Sequence, residues 1–135
     1  MNDDCDAISC LFLKCDHVTA AIWAYDCAYH VLHVFEDKNQ NDDRPRAALT
    51  AARDWVNGKI SVGTARKAAF AAHACAREQE DKKMAFCAHA CGHAAATAHV
   101  KQHALHACAY ARKTADDIKA EMEWQYDKLK TLTGL

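Results

Sequence analysis

Apolar positions along this chain recur every three to four residues in long runs, and short polar segments separate the runs. Asp6 is placed to cap a short helix through AISCLFLK. Asp16 can cap a longer one through HVTAAIWAYDCAYHVLHVF, in which Val18, Ala21, Tyr25, Ala28, Leu32 and Phe35 form a stripe. The polar run EDKNQNDDR then reads as a loop, and Pro45 sits where a first helical turn tolerates it. The helix RAALTAARDWVN stops at Asn57-Gly58, a pair suited to a left-handed cap, and Ser61 caps the next one, VGTARKAAFAAHACARE. After the charged segment EQEDKK, read as a solvated turn, residues 84–112 form an Ala/His/Cys stretch with no obvious stop. Thr114 and Asp117 read as a capping box before DIKAEMEWQYDKLKTL, where Ile118, Met122, Tyr126 and Leu129 share a face. The pattern predicts an all-α fold: one compact domain over residues 1–135, built as a bundle of about five main helices. Residues 1–15 make a short N-terminal extension or helix.

Composition sharpens this picture. Alanine dominates a hydrophobic fraction of 51%, with only 4 Gly and 1 Pro, so helix is favoured and turns are few. Facing positions occupied by Ala, Cys or Gly let helix axes approach near the short end of the ~8–10 Å range. A narrow interior follows, without room for a cofactor such as haem. The charge is balanced, 17 basic against 18 acidic residues, which argues against nucleic acid or an anionic membrane surface as partner. Acidic residues stand near the start, MNDDCDAISCLFLKCD, where an export signal carries positive charge, and no run approaches the roughly 18 apolar residues of a membrane span. A cytoplasmic location is expected. The 8 cysteines then read as reduced thiols; there is no CxxC pair, and Cys5, Cys10 and Cys15 keep no constant helical face.

The candidate chemistry lies in the histidines. If residues 84–112 are one helix, His89, His93, His99, His103 and His106 fall within a sector of roughly 140°, opposite Met84, Cys87, Cys91, Ala94, Ala98 and Leu105. HxxxH occurs twice, at His89/His93 and His99/His103, a spacing that can hold a divalent metal such as zinc on adjacent turns. His73, His93, His99 and His103 are the corresponding metal candidates. No glutamate follows the first histidine as a zinc-protease helix requires, and a break at Thr97 would scatter the sector. The favoured reading is therefore neutral imidazoles that line a groove or helix interface, with no metal and no cofactor. Cys/His neighbours such as His73 and Cys75 point to different faces, so nucleophilic catalysis has no support. Trp23 and Trp124 read as core edges. Trp55 reads as packing or a recognition anchor, and Arg66, Phe70, His73 and Arg77 form a stripe that is either a solvated edge or a binding strip.

The segment DDRPRAALTAARDWVNGKISVGTARKAAFAAHACARE, followed by GHAAATAHVKQHA, resembles the immunity-five-like family of immunity proteins found beside bacterial polymorphic toxins. The resemblance spans about residues 27–126. It places Arg44, Pro45, Arg46, Trp55, Gly58, Arg66, His73, Arg77, Gly92, His93, Thr97, His99 and His103 in the family pattern. This chain departs from it at Cys75, Cys87, Cys91 and Cys108, and by lacking an acid at Thr64. The resemblance implies a non-catalytic helical protein that binds and neutralises a cognate protein toxin, with Trp55, Arg66, His73, Arg77, His93, His99 and His103 as contact candidates. A His-rich metal-binding or metal-dependent helical protein, and an interaction module for a partner other than a toxin, are the alternatives.

Overall fold

The structure, a computed structural model, describes residues 3–134, and side chains from Ala7 onward. It contains helices α1 (Asp3–Lys14), α2 (His17–Val31), α3 (His33–Glu36), α4 (Arg44–Val56), α5 (Val62–Arg77), α6 (Lys82–Ala96), α7 (His103–Thr114) and α8 (Ile118–Thr133), with no strand among the described residues. The all-α expectation holds, but seven of these helices have twelve residues or more, against about five expected. One extra helix is α1, whose 12 residues begin before Asp6; the Asp6 side chain lies outside the described ones. The other arises because residues 84–112 divide into α6 and α7.

Helix starts follow side-chain chemistry. Carboxylates of Asp16, Asp81 and Asp117 accept the backbone N–H of Thr19, Met84 and Ala120 at 2.7, 3.0 and 3.0 Å, and the Ser61 hydroxyl accepts that of Thr64 at 3.1 Å. Each satisfies one of the N–H groups that the first turn leaves unpaired. Asp81 lies in the segment read above as a solvated turn. Thr114 is not part of a cap for α8: it ends α7, and its hydroxyl donates to the Tyr110 carbonyl at 2.8 Å. Gly58, at φ 72°, supplies the left-handed turn after Asn57 that ends α4. Two arginines tie segments together at the α4 start. Arg44 pairs with Asp42 at 2.6 Å and with Glu78, at the end of α5, at 2.7 Å; Arg46 grips Glu36 at 2.6 Å.

Trp23 is at the centre of the core, not at its edge: the side chain is 0% exposed and its indole N–H donates to the Gln125 carbonyl at 2.9 Å. The buried Gln125 amide in turn donates to the Cys108 carbonyl at 3.0 Å and accepts from Arg112 at 3.1 Å, linking α2, α7 and α8. The face of α2 that is buried runs through Ala20, Trp23, Ala24, Cys27 and Val31, while Val18 of the expected stripe is exposed. The buried residues of α5 are all small, Ala65, Ala69, Ala72, Cys75 and Ala76, and those of α6 are small apart from Met84, among them Ala88, Cys91, Gly92 and Ala95. Such side chains are the ones that let helix axes approach closely. The seven cysteines with described side chains are free thiols, and all but Cys10 are buried.

Candidate functional site

The break between α6 and α7 has a physical cause. In an unbroken helix the Thr97 carbonyl accepts the N–H four residues on. Here the His17 ring, from the first turn of α2, donates to that carbonyl instead, and the Thr97 hydroxyl donates back to the His93 carbonyl at 3.0 Å. Residues 97–102 then wind through i→i+3 bonds such as His99 N–H to the Ala96 carbonyl, and α7 starts at His103.

This turn sends α7 back along α6. Ring contacts pair His93 with His103 and His106, then His89 and Phe86 with Tyr110, in antiparallel order. The break therefore gathers the imidazoles and does not scatter them. His73 of α5 joins the group, its ring centroid 5.0 Å from His89 and 4.6 Å from His93. Hydrogen bonds run across helices, not along the HxxxH spacing. His73 Nδ1 meets His89 Nδ1 at 2.7 Å, and His93 Nδ1 meets His103 Nδ1 at 3.0 Å. Within each pair one ring donates and the other accepts, which requires the accepting imidazole to be neutral.

Electrostatics points the same way. Burial first, and then the neighbouring rings, hold His93 at about 3; burial, followed by His89, Arg77 and His103, holds His73 at about 4. His89 and His103 are lowered as well, again chiefly by burial. A half-buried cluster of uncharged rings is the result.

Gly92 makes room for it. A Cβ at this position would stand 2.8 Å from both Cε1 and Nε2 of His73, so the ring lies directly over the glycine in the middle of α6. Gly92→Ala gains about 1 kcal/mol of helix propensity but forces His73 off its seat, an overpacking worth about 1–3 kcal/mol. We expect a net loss of about 1 kcal/mol in urea denaturation and the disappearance of the His73–His89 hydrogen bond by nitrogen-detected NMR. A stabilised variant with that bond intact would contradict the wedge.

The candidates from the sequence divide into groups. Arg66, His73, His99 and His103 line one cleft of about 160 Å³ together with Ala69, Phe70 and Ala96. His93 lies behind it in the imidazole cluster, and exposed Arg77 acts on that cluster through its charge. Trp55 is not among the lining residues: it is half-buried with its ring 5.0 Å from His17, so its contact supports the residue that breaks the helix. The proposed metal set His73, His93, His99 and His103 does not assemble as such, since His99 stands exposed on the turn and His73 is engaged with His89. His89 and His106, read as part of the histidine sector but left out of the metal and contact sets, belong to the cluster, as does Tyr110, which the sequence did not single out.

A second polar feature was not legible in the sequence. His30 Nδ1 pairs with Glu121 Oε2 at 2.7 Å and its ring stacks on Trp124 at 3.7 Å, beside a cleft of about 420 Å³. Its partners lie 91 residues apart in the chain, beyond any local spacing.

No described helix is long and apolar enough to cross a membrane. Comparison of the chain with curated proteins and with solved structures gives no match. Comparison with family patterns gives one over residues 11–132, which takes in α2 through α7, the cleft and the whole imidazole cluster; the chain belongs to the family described as Imm-5 like putative immunity protein.

Proposed function

We propose that this protein binds a cognate bacterial toxin and occludes its active site, performing no catalysis of its own. The observation that carries the docking face is Phe70, 62% exposed at the mouth of the cleft lined by Arg66, His73, His99 and His103. The Arg66 guanidinium lies 5.7 Å from the Phe70 ring centroid, so an aromatic anchor and a cation are presented together. Arg66, Lys67 and Arg77 take part in none of the ion pairs among the described residues, which leaves their charge free for a partner. The surface suits an acidic segment on the toxin that inserts an apolar group beside Phe70.

Co-expression with a toxin encoded beside this gene tests the reading. The wild-type chain is expected to restore growth, and Phe70→Ala combined with Arg66→Glu to weaken binding by at least ~2 kcal/mol, about 30-fold, with loss of protection. Absence of protection by the folded wild type would point to a partner other than a toxin. Full protection by the double variant would move the docking face elsewhere.

A further inference from the structure

We infer that this chain exchanges α7 and α8 with a second copy of itself, residues 82–114 of each copy being drawn out into one continuous helix. The inference does not rest on toxin docking; the partner is the same chain.

The break after α6 is imposed by the fold and not by the residues that form it. Residues 97–102 read TAHVKQ, and no Gly or Pro stands between Gly92 and Gly134. Ala, Lys and Gln are good helix formers, and Thr, His and Val cost a helix little, so neither of the usual stop signals is present. The turn also leaves helical bonds unmade. Among the described residues no backbone carbonyl accepts the N–H of Lys101 or Gln102, which in a continuous helix bond to the carbonyls of Thr97 and Ala98. Two contacts hold the turn from outside: the His17 ring on the Thr97 carbonyl, and the Lys101 ammonium on the Phe12 carbonyl at 3.3 Å.

The register of the helical hairpin suits a symmetric exchange. His93 faces His103 and His106, and Phe86 and His89 face Tyr110, so the midpoints of these pairs all fall between residues 98 and 100. Two continuous helices, each about 50 Å long and lying antiparallel about a two-fold axis near those residues, remake the same pairs between copies. Ala95 and Ala98, both buried and small, let the helices cross closely there. α8 travels with α7, held to it by the Gln125 amide on the Cys108 carbonyl at 3.0 Å. On the second copy it meets the α2 side chains it meets at home, Trp23 and His30. The exchange thus gives up the two hinge contacts, gains the missing helical bonds and recovers the packing, which is why swapping of identical elements is a low-cost route to a dimer. The docking cleft becomes composite: its His103 comes from the second copy, and the turn that carries His99 becomes helix.

Refolding from urea at a series of protein concentrations, followed by size-exclusion chromatography with light scattering, tests this. The full, reduced wild-type chain is expected to emerge as monomer from about 10 μM and with a dimer fraction from about 1 mM. His17→Phe keeps a ring against Trp55 but removes the donor, and is expected to form dimer at concentrations at least roughly tenfold lower. Gln102→Pro is expected to stay monomeric throughout. Position 102 is exposed, has φ −63° and an N–H without a backbone acceptor, so the present turn accepts Pro, whereas the continuous helix does not. In dimer refolded from equal parts isotope-labelled and unlabelled chain, filtered NMR should find the Phe86–Tyr110 ring contact between chains. Absence of dimer at about 1 mM in both the wild type and His17→Phe overturns the inference. So does a dimer that Gln102→Pro forms equally well, or one whose Phe86–Tyr110 contact stays within a chain.

Discussion

Trp23→Ala is expected to remove about 4 kcal/mol of stability, within the ~3–5 kcal/mol found for large aromatic truncations in cores. The side chain is wholly buried, its ring centroid is 6.1 Å from that of Phe12, and its N–H holds the Gln125 carbonyl of α8. Small neighbours such as Ala20 and Ala24 on the same face have no side-chain length with which to fill the space. The cavity thus persists and adds to the lost transfer energy. Against a typical total of ~5–15 kcal/mol, this leaves the protein close to its folding threshold. Trp23→Phe keeps most of the volume and is expected to lose chiefly the hydrogen bond, about 1 kcal/mol. Urea denaturation followed by circular dichroism measures both, and a Trp23→Ala loss below that of Trp23→Phe would contradict the central position of this ring.

Acid is expected to unfold the protein by way of the imidazole cluster. His73 and His93 have folded values of about 4 and about 3, both below the ordinary value near 6.5. The unfolded chain therefore binds more protons than the folded one below pH ~6.5, so stability rises with pH through this window. It is fully present above pH ~6.5 and disappears as pH falls toward 4 and then 3. The groups facing His73 are His89, Arg77 and His103; those facing His93 are His73, His89, His103 and His106. Among the described residues neither ring has a carboxylate at ion-pair distance to hold a proton in place. Each histidine contributes up to ~1.4 kcal/mol per pH unit, about 4 kcal/mol for both by pH 5, and roughly half of that after allowing for solvent screening of half-buried rings. Denaturation midpoints with chelator present should fall by an amount equivalent to about 2 kcal/mol between pH 7.5 and pH 5, and His93→Phe should flatten the dependence. A midpoint that does not change over this interval would mean that the rings are already charged or already solvated.

The sequence made the helix boundaries legible where one side chain decides them. Asp16, Ser61, Pro45 and the Asn57-Gly58 pair act within a few residues of themselves, so reading them needs no knowledge of the fold. What was missed depends on partners distant in the chain. Thr97 ends α6 because a ring 80 residues earlier takes its carbonyl, and an Ala/His run carries no local sign of that competition. For the same reason the histidine spacing gave a sector of one helix, whereas the cluster draws on three. Gly92 entered the sequence reading only through the family pattern; that it is the seat of His73 depends on a ring on another helix. On α2, several faces are apolar enough to be buried, so periodicity alone could not choose the one with Trp23 over the one with Val18; the helices surrounding α2 make that choice.

The alanine-lined contact between α5 and α6 limits where this protein can diversify. Ala69, Ala72, Ala88 and Ala95 are all buried, so any longer residue there overpacks the interior, at about 1–3 kcal/mol a time. The outward positions of the same helices, among them Arg66, Lys67 and Phe70, carry no such constraint. One side of α5 can thus change at little cost to the fold while the other stays fixed, a division that fits the toxin-binding role proposed above.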